Sequence, residues 1–267
     1  MSSKNAPFFH SFLSDTERLG VRVRPALLVS VRDEKEAKIA LDAGVDLLDV
    51  KEPQHGPLGR AATDVLTEIA ALKAAFPTVH FSAALGELQR GSSEKAPLAL
   101  PAEYDFVKTG LSDCHSDPRW SEKFSQFRKS ISEFIRPGTV RWVAVAYADH
   151  ESCNAPLPET VLRVAIETNC DGLLVDTWSK SGLSTFDYLP EAQLKSLRQK
   201  CRESGLFFAL AGSIKQVHLE RVVEIDPDIV AVRGAVCEEQ LRTSEISLSA
   251  IENFISAMDQ LWVQANS

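Results

Sequence analysis

The sequence predicts a single (β/α)8 barrel, because eight short apolar segments alternate with amphipathic, helix-like segments from residue 26 onward. The first of them, residues 26–31, is a nearly continuous apolar run, which is typical of a parallel strand covered on both faces. The length of 267 residues fits one such barrel, which commonly contains about 250 residues. No G-x-G-x-x-G motif follows the first strand, so an open dinucleotide-binding sheet is disfavoured.

The first two strands and the helix between them form one right-handed crossover unit. Asp33 and Glu36 match a capping box at the start of the predicted helix, and Gly44 ends it. The second strand follows at residues 45–51, and Pro53 breaks it.

The remaining elements repeat this order, and their bounds follow from the apolar pattern. The predicted strands are residues 79–85, 104–110, 140–146, 172–177, 206–211 and 228–233. The predicted helices are residues 61–76, 121–135, 159–168, 190–203, 212–224 and 245–262. Residues 1–24 form a short extension before the barrel domain of residues 25–267. We expect the extension either to cover the bottom of the barrel or to contact another subunit of a homo-oligomer.

Composition and charge exclude several classes of protein. The chain has 37 acidic and 29 basic residues, a net charge of −8, and no basic face that would bind nucleic acid. The five cysteines form no C-x-x-C pair, which indicates reduced thiols. No apolar run approaches the roughly 20 residues of a membrane span, and the amino terminus lacks a signal peptide. We therefore expect a cytoplasmic protein without a membrane or nucleic-acid partner.

Charged side chains end three even-numbered strands. Asp49 and Lys51 end the second strand on the same face, Lys108 ends the fourth and Asp176 the sixth, and Lys180 lies in the next loop. Catalytic groups of such barrels lie at the carboxyl ends of strands, and alternate strands contribute to one layer. We therefore expect these groups to converge at the barrel mouth. The alternatives are structural ion pairs for Lys51 and Lys108 and a solvated loop position for Lys180.

Converging lysines would change the chemistry of an amine. A neighbouring cation and poor solvation lower the pKa of an amine, so that more of it is free to attack a carbonyl. The resulting Schiff base makes the adjacent carbon acidic enough to lose a proton. Asp49 and Asp176 would orient the lysines, move protons or stabilise the iminium, with Lys51 as the candidate active amine.

A candidate phosphate site follows strands seven and eight. Gly212-Ser213 and Gly234-Ala235 stand where barrels of this kind bind phosphate through backbone N–H groups and a helix amino terminus. The alternative is a pair of ordinary turns between strand and helix. Arg233 either assists as a cation or is paired within the barrel.

The sequence predicts neither a metal site nor a cofactor. The histidines are dispersed without H-x-x-x-H or H-E-x-x-H spacing, and no G-x-S-x-G or cysteine–histidine nucleophile is evident. The segment 149–151, Asp-His-Glu, is more consistent with solvated loop charges than with metal ligands.

Several of these motifs together resemble the (5-formylfuran-3-yl)methyl phosphate synthase family, which acts in methanofuran or methylofuran biosynthesis. The matching residues lie between positions 26 and 240, and the D-V-K…G-x-L-G block is the most distinctive of them. The motifs are Leu27-Leu28-Val29-Ser30, Asp49-Val50-Lys51 with Pro53, Gly56-x-Leu58-Gly59, Val107-Lys108-Thr109-Gly110, Asp176 with Lys180 and Gly182, Ala211-Gly212-Ser213, and Arg233-Gly234-Ala235-Val236-Cys237.

The resemblance implies condensation of two glyceraldehyde 3-phosphate molecules into a phosphorylated furan aldehyde, with release of one phosphate and water. It implies that Lys51 forms the Schiff base and that Lys108 accepts a proton, while Asp49, Asp176 and Lys180 assist proton transfer. Another Schiff-base aldolase or isomerase acting on one phosphorylated sugar is the alternative, followed by a non-catalytic barrel scaffold.

Overall fold

The computed structural model describes residues 24–91, 100–134, 140–179 and 181–265. Eight parallel strands close into a barrel in sequence order, and the last strand pairs with the first. The strands are β1 Ala26–Val31, β2 Leu47–Val50, β3 His80–Glu87, β4 Phe106–Gly110, β5 Arg141–Tyr147, β6 Gly172–Asp176, β7 Phe207–Leu210 and β8 Ile229–Val232. The predicted (β/α)8 barrel is therefore confirmed. The predicted extension lies outside the described residues, apart from Arg24.

Helices follow the strands around the barrel. They are α1 Glu34–Asp42, α2 Thr63–Ala70, α3 Leu88–Gly91, α4 Trp120–Phe134, α5 Pro158–Glu167, α6 Thr185–Tyr188, α7 Glu191–Glu203, α8 Leu219–Ile225 and α9 Leu248–Ala265. The one-turn helices α3 and α6 were not predicted, because they are too short to show a helical period in the sequence. Within the described ranges, no helix combines the length and apolar character that crossing a bilayer requires.

One predicted helix starts later than expected. The pattern placed its start at Gly212, but a 3-10 turn at Gln216–His218 precedes α8 instead. Gly212 and Ser213 have φ angles of +86° and +55°, in the left-handed region that a right-handed helix cannot include. The prediction was wrong here because an apolar pattern does not report backbone handedness.

The start of α1 realises half of the predicted capping box. The Asp33 side chain accepts a hydrogen bond from the Glu36 backbone N–H at 2.9 Å, as an N-cap should. The Glu36 carboxylate, however, accepts from the Arg32 backbone N–H and from two arginine side chains instead of closing the box. Gly44 follows the helix with φ of +81°, in agreement with the predicted helix end.

The inside of the barrel is apolar at the amino-terminal ends of the strands. Leu47, Phe106, Phe207 and Ile229 each begin or nearly begin a strand, and all belong to the inner core. The rings of Phe106 and Phe207 meet edge to face, with centroids 5.6 Å apart. This filling closes the barrel from below, so any cavity must open at the carboxyl ends of the strands.

Strand β2 shows how the polar groups reach that opening. Leu48 and Val50 pack in the outer core between strands and helices, whereas Leu47 packs inside the barrel. The predicted alternation is confirmed, and it directs Asp49 and Lys51 inward above the apolar floor.

Candidate active site

A cavity of about 440 Å³ opens at the carboxyl ends of the strands. Asp49, Lys51, Lys108 and Asp176 all line it, and all four are buried. The structure thus brings these four side chains together at the barrel mouth, where their positions at the ends of even-numbered strands predicted them. Lys180 lies outside the described residues.

Asp49 is the centre of the polar cluster. The strand register places Ser30 and Ser82 on either side of it. Ser30 Oγ donates to Asp49 Oδ2 at 3.1 Å, and the Lys108 ammonium donates to Asp49 Oδ1 and, at 3.3 Å, to Ser82 Oγ. Burial alone would favour the neutral acid, but the charges of Lys108 and Lys51 outweigh it and lower the pKa of Asp49. The carboxylate is therefore ionised.

Lys108 is held in a buried ion pair with Asp49. This is the pairing that the sequence left open as an alternative to a catalytic role. The pair does not remove Lys108 from the cavity, since its side chain still lines the wall beside Lys51. Lys108 therefore forms a structural contact and also lies within reach of a bound molecule.

The loop after β2 holds the backbone around Lys51. The Glu52 N–H donates to the Gly59 carbonyl at 2.8 Å, and the Gly86 N–H donates to the Leu58 carbonyl at 3.0 Å. A Cβ atom on Gly59 would lie 2.1 Å from the Glu52 carbonyl oxygen, so only glycine fits there. The spacing of the D-V-K…G-x-L-G block is thus explained by a loop that closes on itself and is tied to β3.

A buried tyrosine lies next to Asp176 and contacts a buried glutamate. Tyr147 pairs with Asp176 in the strand register, and its hydroxyl donates to Glu87 at 2.6 Å. Burial, and then the charge of Glu87, raise the pKa of Tyr147 well above its ordinary value, so it remains a hydrogen-bond donor. Glu87 also accepts from the Ser112 N–H at 2.9 Å. A Cβ atom on Gly110 would lie 2.1 Å from the Glu87 carboxylate, so this glycine makes room for the glutamate.

Asp149 anchors the loop that follows β6. Its carboxylate accepts from the backbone N–H groups of Trp178 at 2.6 Å and Ser179 at 2.8 Å, and also from the Ser179 hydroxyl. Asp149 is buried, so the expectation of a solvated loop charge was wrong for this residue. Over the described part of the chain, no three His, Cys, Asp or Glu side chains are grouped as metal ligands.

The predicted phosphate-binding residues line the other side of the same cavity. They are Gly212, Ser213, Arg233, Gly234 and Ala235. A Cβ atom on Gly212 would lie 2.1 Å from the Thr185 hydroxyl, which packs against this turn at the start of α6. These predicted phosphate-binding residues and the four charged residues of the polar cluster therefore line one chamber. We call the side with the two glycine turns the phosphate half and the side with Asp49, Lys51 and Lys108 the lysine half.

Arg233 is fully engaged inside the protein. Its Nε donates to the Arg242 carbonyl at 2.6 Å, and its two terminal nitrogens bond the Glu36 carboxylate at 2.8 and 3.1 Å. The remaining N–H groups donate to the carbonyls of Ser30 at 2.8 Å and Ser244 at 3.2 Å. All five donors of the guanidinium are thus used. The geometry favours the paired alternative over a phosphate contact for Arg233.

The sequence pattern does not identify four residues that shape the site. Ser82, Tyr147 and Glu87 lie on strands whose patterns read as ordinary core, and Arg242 lies in a loop without a recognisable motif. The only available signals were Gly110, whose missing side chain makes room for Glu87, and polar residues within buried strands.

Comparison with known proteins shows similarity to one family over most of the chain. Residues 27–255 match the family model described as 4-HFC-P synthase. The chain is 32% identical over 234 residues to (5-formylfuran-3-yl)methyl phosphate synthase of Methanosarcina barkeri, covering 86% of this chain and 97% of the relative. It is 34% identical over 219 residues to the protein of the same name from Methanopyrus kandleri, covering 81% and 91%.

Solved structures with the same architecture are more distant in sequence. Phosphoribosyl anthranilate isomerase from Thermus thermophilus gives a TM-score of 0.56 at 15% identity, covering 88% of this chain and 99% of that structure. The 3-hexulose-6-phosphate synthase from Salmonella typhimurium gives 0.55 at 18% identity, covering 90% and 99%. At these identities the similarity concerns the barrel fold alone.

Proposed function

Because the chain belongs to the 4-HFC-P synthase family, we propose that it forms (5-formylfuran-3-yl)methyl phosphate by condensing two molecules of glyceraldehyde 3-phosphate through a lysine Schiff base. One phosphate and water leave in the reaction. The observation that carries the proposal is the convergence of Asp49, Lys51, Lys108 and Asp176 on one cavity. Two amines and two carboxylates in a poorly solvated chamber are the groups that carbonyl condensation needs.

Lys51 is the proposed nucleophile. Its amine attacks the carbonyl carbon of the first triose, and water leaves as the iminium forms. A proton is then lost from the adjacent carbon, and the electron pair of the broken C–H bond moves toward the iminium nitrogen. The resulting enamine adds to the aldehyde carbon of the second triose and forms the new carbon–carbon bond. Water then hydrolyses the iminium, which frees Lys51 and restores the carbonyl. Ring closure and elimination of water and phosphate complete the furan.

Lys108 and Asp49 are proposed to handle protons beside that amine. Their hydrogen bond supports this role, since a proton can pass along it while Asp49 stays in place between Ser30 and Lys108. Asp176 lies on another wall. It is proposed to stabilise the iminium or to transfer a proton to the departing hydroxyl, with Lys180 assisting.

The retained phosphate is proposed to bind at the turns after β7 and β8. Gly212-Ser213 and Gly234-Ala235 line the chamber, and the backbone N–H groups of such turns bind anions well. Binding there would leave the carbonyl end of the triose free to reach across to Lys51.

A reductive trap tests the nucleophile. Sodium borohydride added with glyceraldehyde 3-phosphate should reduce the imine and add the substrate mass to Lys51, which peptide mass spectrometry would locate. Lys51→Ala should abolish the adduct, whereas Lys195→Ala, which changes an exposed lysine paired with Glu224, should not. An adduct found only on another lysine would reassign the nucleophile.

The products distinguish the reaction from its alternative. Incubation with glyceraldehyde 3-phosphate alone should give a furan chromophore and about one released phosphate for each product molecule. A reversible open-chain aldol without phosphate release would instead indicate a Schiff-base aldolase or isomerase.

A further inference from the structure

The phosphate half of the chamber contains an arginine that the sequence pattern did not reveal. Arg242 lines the cavity next to the turn formed by Gly234 and Ala235. A Cβ atom built on Gly234 would lie 3.9 Å from both the Cβ and the backbone nitrogen of Arg242. The arginine therefore lies directly beside the backbone that would bind a phosphate.

The guanidinium of Arg242 is poorly partnered for its surroundings. Among the described residues, its only acceptor is the Gly56 carbonyl, at a long 3.4 Å. A guanidinium has five N–H donors, so most of them remain available to a molecule in the chamber. Burial lowers the pKa of Arg242, which shows that the cation is partly removed from water. Arg233, by contrast, has no donor left.

The protein holds Arg242 in place through its backbone. Arg233 donates to its carbonyl at 2.6 Å, and Arg32 donates to the next carbonyl, that of Thr243, at 2.7 Å. Glu239 and Gln240, in the same loop, have φ angles of +53° and +55°. Such left-handed conformations are costly for residues other than glycine and persist where the surrounding structure imposes them. The loop is thus built to bring residue 242 over the cavity.

We propose that Arg242 is the cation that binds the substrate phosphate at the Gly234-Ala235 turn, and that Arg233 is a positioning residue that holds the backbone of Arg242. The ligand is a phosphate monoester, whose oxygens match the planar fork of a guanidinium. Its identity as a triose phosphate rests on the proposed function, but the anion site itself does not.

Lys215 is the competing candidate, since it also lines the cavity. Its side chain is a flexible four-carbon stem, and an ammonium gives a point charge without the bidentate geometry of a guanidinium. The two residues lie in different loops, so single substitutions separate their contributions.

The test compares Arg242→Gln, Lys215→Gln and Arg202→Gln by isothermal titration with inorganic phosphate. Arg202 is an exposed residue of α7 and serves as the matched control. Arg242→Gln should weaken phosphate binding roughly 10- to 100-fold, the effect of losing charge-assisted hydrogen bonds, and Arg202→Gln should leave it unchanged. A smaller effect than that of Lys215→Gln would overturn the proposal.

Arg242→Lys keeps the charge and should retain part of the affinity; unchanged binding by this variant would count against a bidentate contact.

Activity measurements separate this inference from the proposed function. Arg242→Gln should raise the KM for glyceraldehyde 3-phosphate by a similar factor and change kcat less, because the group binds the non-reacting end. If the wild-type protein makes no furan while Arg242→Gln still loses phosphate affinity, the proposed reaction fails and the anion site stands. If the wild-type protein makes furan and Arg242→Gln keeps its KM and phosphate affinity, the anion site fails alone.

Discussion

Replacing Asp49 with asparagine tests whether the charge of this carboxylate holds the lysine cluster together. In the pair with Lys108, the side chains are only 1% and 4% exposed. Asparagine keeps the size and an acceptor for the Ser30 hydroxyl, so the substitution removes mainly charge. Removing one partner of a buried ion pair costs about 3–5 kcal/mol, because the other charge stays buried.

Two considerations place the expected effect within that range. Lys51 also interacts with the charge of Asp49, so more than one lysine side chain loses a compensating charge. The loss nevertheless has a ceiling, since a buried amine can release its proton, which for an ordinary lysine costs roughly 4–5 kcal/mol at pH 7. We therefore expect Asp49→Asn to lower the free energy of unfolding by about 4 kcal/mol at pH 7.

Urea denaturation followed by tryptophan fluorescence measures this difference. The lowered pKa of Asp49 means that its contribution is fully present above the ordinary value of 3.8 and is lost as the pH falls from there through the folded-state value. The difference between wild type and Asp49→Asn should therefore be constant from pH 7 to about pH 5 and shrink below about pH 4. Asp42→Asn, at an exposed position of α1, is the matched control and should change stability by less than about 0.5 kcal/mol.

A double variant isolates the charge. Asp49→Asn combined with Lys108→Met removes both partners, so the double variant should be more stable than the sum of the two single losses predicts. A loss of less than about 1 kcal/mol for Asp49→Asn at pH 7, or strictly additive losses, would refute the compensating role of Asp49.

Three further substitutions probe Lys108, which lines the chamber, and the buried residues Tyr147 and Asp149. Lys108→Ala should still form the reduced adduct on Lys51 but lose turnover; unchanged turnover would remove its role in proton transfer. Tyr147→Phe leaves Glu87 without its 2.6 Å donor and should destabilise the fold by about 1–3 kcal/mol, measured by urea denaturation; an unaffected midpoint would contradict this. Asp149→Asn weakens the acceptor for the loop after β6 and should accelerate limited proteolysis there, with an unchanged cleavage pattern as the contrary result.

The arrangement of the lysine half could be predicted because it depends on two strong regularities. Side chains alternate along a strand, so Asp49 and Lys51 had to share a face opposite Leu48 and Val50. Barrel closure then fixes which strand ends face the same opening, which brought Lys108 into the same chamber. Neither step requires knowledge of a loop.

The phosphate half was harder to predict because its contacts connect distant parts of the chain. The Glu36 carboxylate that engages Arg233 is 197 positions away in sequence, and no local pattern indicates such a pair. The local sequence predicted that Glu36 would close a capping box. In the structure its carboxylate instead accepts stronger, charge-assisted hydrogen bonds from two arginines. Arg242 was missed for the related reason that its position depends on left-handed residues within an irregular loop.

These contacts also join the two halves of the chamber. Arg233 donates to the Ser30 carbonyl on β1, and the Ser30 hydroxyl donates to Asp49, which in turn holds Lys108. The same Arg233 holds the carbonyl of Arg242. One run of hydrogen bonds therefore connects the proposed phosphate cation with the amine cluster through the rigid first strand. A substrate bound at both ends would contact groups whose separation is fixed before binding. Little entropy would therefore be lost in aligning the reacting carbon with the catalytic groups.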